Sequence, residues 1–141
     1  MDTHLLLVAI DCSSYSEKVV DKAMEFSRLV ESKILLVHCH RRFSTIIGQP
    51  ARDREIPLIK QEAQQRIAPY LARIKEQNIP VEHRLMEEPA ASAIIDIATI
   101  EHCDLIIMGS RGLTNLASLI IGSVTNRVLQ TAPCSVLVVR E

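Results

Sequence analysis

Short, uninterrupted apolar runs alternate along the chain with longer stretches in which apolar residues return every three or four positions. Leu5 to Ile10 is such a run, and it stops at the polar cluster Asp11-Cys12-Ser13-Ser14, which predicts a buried strand entering a turn. Ser14 and Glu17 stand at capping-box spacing, and Val19, Val20, Ala23, Ser27 and Val30 follow at helical spacing, so a helix is expected to about Glu31. Lys33 to Cys39 predicts a second buried strand. His40 to Arg54, with Gly48 and Pro50 inside it, reads as a long loop. From about Ile56 to Gln77 the positions Ile59, Ala63, Ile67, Leu71 and Ile74 keep a four-residue rhythm down one long helix, which Pro69 should kink.

Val81 to Met86 alternates apolar and polar residues, the pattern of a strand near a sheet edge, and Pro89 opens a helix carrying Ile94, Ile95, Ala98 and Ile100. Asp104 to Met108 is a fourth strand, Gly122-Ser123 opens a short helix to about Gln130, and Pro133 precedes a last strand, Ser135 to Val139. Strands and helices thus alternate throughout. That order predicts an α/β fold, a doubly wound and mostly parallel sheet with helices on both faces, in a single domain over residues 1–141. Such sheets bind ligands beyond the carboxyl ends of their strands, where the strand order reverses. The rule singles out Asp11, His38 to His40, Met86 to Pro89 and the segment from Gly109.

Composition sharpens this picture in three ways. Only 3% of the residues are aromatic, and the apolar share is mostly Ile, Leu, Val and Ala, which suits buried parallel strands. A formal net charge of -1, with both signs interspersed, argues against a nucleic-acid partner, which needs a basic face. Leu5 to Ile10 and Leu105 to Met108 fall far short of the roughly 20 apolar residues that span a bilayer. Met1-Asp2-Thr3-His4 lacks the basic start of a signal peptide, so a cytoplasmic location is expected. Cys12, Cys39, Cys103 and Cys134 form no C-x-x-C pair and read as small buried hydrophobes.

Three of the four glycines, Gly109, Gly112 and Gly122, fall between the fourth strand and the last helix. Glycines let a backbone approach a ligand closely, and Gly122-Ser123-Val124 sits where a helix start offers free N–H groups and a favourable dipole to phosphate. Arg111 is a charged neighbour. The same glycines also suit plain tight turns, and their spacing matches neither a Walker loop nor a dinucleotide fingerprint.

Gly109-x2-Gly112-x9-Gly122-Ser123 resembles the G-x2-G-x9-G-[ST] motif of the ATP-binding branch of the universal stress proteins. Similar features run the length of the chain: Val8-Ala9-Ile10-Asp11, Leu35-Leu36-Val37-His38, Asp104 to Ser110, and Pro133 to Val139. The resemblance implies a five-stranded sheet of order 3-2-1-4-5, a homodimer through the last strand, and ATP lying across the strand ends, with AMP and ADP as related ligands. It implies that Asp11 contacts the adenosine portion and that Ala9 and Cys39 line the base pocket beside Met108. Gly109, Gly112, Gly122, Ser123 and Val124 would hold ribose and phosphates, with Ser110, Arg111 and Thr125 nearby. Two positions depart from the family pattern: Cys12 stands where many members carry glycine, and Glu87 where a glycine often lies close to the nucleotide.

The role this implies is a nucleotide-responsive regulator of a stress response, acting on an unidentified protein partner, with the loop from Leu113 to Ile121 shifting on binding. A nucleotide-free dimeric interaction protein, suggested by Glu87 and by the exposed edge expected at the last strand, and a slow ATPase are the alternatives. Asp11 is the kind of carboxylate that holds Mg2+ beside a triphosphate. No Ser, His and Asp set is spaced for catalysis, so no enzyme is expected. His38-Cys39-His40 invites a metal reading, but alternation on a strand points Cys39 away from the two histidines, and no metal site is expected.

Overall fold

The computed structural model describes residues 3–44, 46–110 and 121–140. Their elements follow the order β1 (His4–Ile10), α1 (Ser16–Leu29), β2 (Ser32–His40), α2 (Ala51–Glu76), β3 (Val81–Glu87), α3 (Ala90–Ile100), β4 (Leu105–Gly109), α4 (Ser123–Thr131) and β5 (Ser135–Val139). All strand pairs are parallel, in the order β3-β2-β1-β4-β5. The fold is the expected doubly wound α/β sheet. Its order reverses between β1 and β4, whose carboxyl ends carry Ala9 to Asp11 and Met108 to Ser110.

Because side chains alternate across a strand, the central strands feed two separate cores. Leu6, Val8, Ile10, Ile34, Leu36 and Ile107 pack with Val20 and Ala23 of α1 and with Ile67 and Ile74 of α2. Leu7, Leu35, Val37, Ile106 and Met108 turn the other way, onto Ile94, Ile97 and Ala98 of α3 and Val128 of α4. The four-residue rhythm of α2 is the buried stripe, with Ile59, Ala63, Ile67, Leu71 and Ile74 all inside. Pro57 and Pro69 both lie on its exposed side, and the helix runs through them without a break.

The sequence reading needs four corrections. The segment read as loop to Arg54 already contains the first turn of α2, which starts at Ala51 after Pro50. Ser14 and Glu17 do not cap α1: Tyr15 occupies the N-cap without a side-chain bond, and Asp11 organises the turn instead. Its Oδ1 accepts the Ser13 N–H at 2.9 Å and the Ser16 hydroxyl at 3.1 Å. Ile100 is exposed, because α3 buries Ala91, Ala93, Ile94, Ile97 and Ala98 and turns its last residue outward. Asp104 precedes β4, accepting the Leu5 N–H on Oδ2 at 2.7 Å and returning its own N–H to Leu5 O at 2.9 Å.

Candidate functional site

At the carboxyl ends of β1, β2 and β4 the sheet opens into a cavity of about 350 Å³. That lies within the range of roughly 300–1,000 Å³ for small-molecule sites. Ten residues singled out in the sequence surround it: Ala9, Asp11, Cys39, Glu88, Met108, Gly109, Gly122, Ser123, Val124 and Thr125. Two others, Arg111 and Gly112, lie outside the described residues, as does the loop over residues 113–120.

Each wall has a local cause. Ala9 and Met108 are paired neighbours on β1 and β4, and Val37 and Cys39 follow on β2 with side chains on the same face. The small Ala9 side chain leaves space between the larger ones, and Ala90 and Ile94 of α3 complete an apolar end. Burial pushes the Cys39 thiol up to about 11, with Glu88 adding to the shift, so it faces the cavity neutral.

The opposite end is polar. Gly122, with φ -58 and ψ 155, is the N-cap of α4, and the first helix bond is Asn126 N–H to Gly122 O at 2.9 Å. The earlier N–H groups of a helix have no carbonyl of their own helix to bind, and the dipole adds partial positive charge there. The buried Thr125 hydroxyl donates to Gly109 O at 2.7 Å, and Gly122 N–H donates to Ser110 O at 2.8 Å. These bonds tie the helix start to the end of β4. On the α1 side, Asp11 is held by its bonds from Ser13 and Ser16, both to Oδ1.

Sequence reasoning missed part of the lining, namely Ile10, Tyr15, Ser16, Val19, Val37, Ala90 and Ile94. The signal for Val37 was its two-residue spacing from Cys39, which puts both on one face. Cys12, at the position where a glycine was noted, has φ 63 and takes the left-handed conformation that glycine adopts without cost. Glu87 does not line the cavity: its carboxylate accepts the Phe43 N–H at 2.8 Å, and the adjacent Glu88 is the lining residue.

His38 and His40 are buried, while Cys39 between them faces the cavity. Among the described residues no group of His, Cys, Asp and Glu is arranged to hold a metal ion. His38 donates from Nδ1 to Ile10 O at 3.0 Å, and burial lowers its pKa. The unfolded chain therefore takes up a proton near the ordinary histidine value, and the folded chain only at lower pH. Stability contributed by the neutral ring is complete above about pH 6.5 and is lost as pH falls below it. Chemical denaturation should give a midpoint that drops from about pH 7 to about pH 5, and His38→Gln should flatten that slope. An unchanged slope in the variant would assign the loss to other groups.

Among the described residues no helix is long and apolar enough to cross a membrane. A model of the Universal stress protein family matches residues 3–140. A universal stress protein of Thermus aquaticus is 30% identical over 136 residues, covering 96% of this chain and 97% of that protein. The structure of a universal stress protein from Lactobacillus plantarum superposes with a TM-score of 0.82 at 20% identity, covering 99% of each chain. The structure of an Arabidopsis thaliana family member with AMP bound gives a TM-score of 0.71 at 19% identity, covering 98% of this chain and 92% of that one. Family structures in complex with cAMP and with dAMP, the latter from Archaeoglobus fulgidus, give TM-scores of 0.64 and 0.68.

Proposed function

Because this chain belongs to the universal stress protein family, we propose that it is an adenine-nucleotide-binding regulator whose ligand lies across the ends of β1, β2 and β4. The observation that carries this reading is the convergence of Ala9, Asp11, Cys39, Met108, Gly109 and Gly122 to Thr125 on one cavity, apolar at one end and formed by a helix start at the other. The base rests against Ala9, Val37, Cys39 and Met108, and Asp11 meets the adenosine portion. The start of α4 receives phosphate through N–H groups and the Ser123 hydroxyl. The ligands bound by the three nucleotide complexes named above share the adenine base, which supports the class.

Within that class the proposed ligand is ATP, with ADP and AMP as related ligands. A single carboxylate beside phosphates is the donor set that Mg2+ accepts, and Asp11 would supply it. We propose binding rather than turnover, with the nucleotide altering association with a protein partner. The edge position of β5 supports pairing with a second copy, since an edge strand leaves N–H and C=O groups unpaired. The nucleotide-free reading drew on Glu87, whose carboxylate is engaged by the Phe43 N–H instead, and on the edge of β5, which serves a nucleotide-binding dimer equally well.

Calorimetric titration of ATP, ADP and AMP, with and without Mg2+, into nucleotide-free protein tests this reading. Saturable binding of an adenine nucleotide is expected. No binding by the folded protein would contradict it.

A further inference from the structure

Resting on the adenine-nucleotide reading, we infer that Glu88 selects the base, its carboxylate accepting a hydrogen bond from the exocyclic amine of adenine and rejecting purines that carry a carbonyl there. The residue stands just beyond β3, at the rim of the cavity's apolar end, with Cys39, Ala90 and Ile94 in the same lining. Its backbone is fixed, for the Glu88 N–H donates to His40 O at 3.0 Å. Its carboxylate lies near enough to Cys39 to help hold that thiol neutral.

The two neighbouring glutamates differ in what they do. Glu87 spends its carboxylate on the Phe43 N–H, whereas the Glu88 side chain has no hydrogen-bond or ion-pair partner among the described residues. An ionised carboxylate only accepts hydrogen bonds. A base lying on the apolar wall brings its polar edge to the rim, where an amine gives this acceptor a donor. A carbonyl at the same ring position brings lone pairs against it and leaves both groups unsatisfied. A glutamine in its place can donate as well as accept and so tolerates either base.

The test is calorimetric titration of AMP and IMP, which differ at that ring position, into the native protein, Glu88→Gln and Glu87→Gln. The native protein is expected to prefer AMP by about tenfold, the worth of one hydrogen bond to a charged group at a partly wet rim. Glu88→Gln should bring the two ligands within about twofold of each other, and Glu87→Gln should keep the native preference. Native binding of AMP with no preference over IMP, or an undiminished preference in Glu88→Gln, would overturn the assignment of Glu88 alone. Failure of the native protein to bind AMP or any other adenine nucleotide would overturn the nucleotide reading and this inference with it. Exposure of Glu88 at the rim means that Glu88→Gln should unfold at the native midpoint, which circular dichroism would check.

Discussion

Gly122→Val should weaken adenine-nucleotide binding on the order of 100-fold while leaving the chain folded. Gly122 has φ -58 and ψ 155, a conformation open to any L-residue, so its glycine is not required by the backbone. What a valine changes is the space in front of the α4 N-terminus, where its methyl groups keep phosphate from the N–H groups of the first turn. Losing one or two hydrogen bonds to a charged ligand, each worth about 1.5–3 kcal/mol, gives an effect of that size. Calorimetric titration of the variant checks the loss, and an unchanged denaturation midpoint shows that the fold is intact. Native affinity in the variant would move the phosphate site away from α4.

The second large effect concerns the platform beneath the cavity. Leu36 lies in β2, flanked by Val8 on β1 and His83 on β3, and is 0% exposed in the core shared with α1 and α2. Leu36→Ala removes buried methyl groups and leaves a void that the sheet cannot close, because both neighbouring strands hold the backbone in register. A loss of about 3 kcal/mol is expected, within the usual range of about 2–5 for such truncations. Leu29, at 76% exposed, is the matched control, and Leu29→Ala should cost no more than about 0.5 kcal/mol. Urea denaturation of the two variants measures the difference. Equal losses would mean that Leu36 is not part of a packed core.

The legible parts of the chain were those in which packing imposes a period. The strands before Asp11 and before Gly109 are visible as apolar runs because both faces of a central parallel strand are buried. The rhythm of α2 is visible from Ile59 onward because that face packs on the sheet. Its first turn was hidden, since Ala51 to Arg54 buries no residue and so carries no apolar stripe. The α1 start was misread because Asp11, rather than the Ser14 and Glu17 pair, satisfies the turn, and a sequence lists both options without ranking them. The strand order came from family resemblance, because alternation alone fixes a doubly wound sheet but not which strands neighbour.

The cavity divides along the same line. Residues on the strand ends and at the glycine-rich motif were readable from position, because ligands in such sheets gather there. The contributions of Tyr15, Ser16 and Val19 were not, since they depend on how α1 leans over the end of β1. The distinction between Glu87 and Glu88 turns on one backbone contact, from the Phe43 N–H, that connects segments far apart in sequence.

The most direct measurement is a two-dimensional amide spectrum of isotope-labelled protein titrated with ATP and Mg2+. Chemical-shift changes should gather at Ala9, Asp11, Cys39, Met108, Gly109 and Gly122 to Thr125, the residues that surround the cavity. Changes confined to the opposite end of the sheet, around Thr3, Lys33, Glu82 and Asp104, or none at saturating nucleotide, would contradict the assignment of this cavity as the nucleotide site.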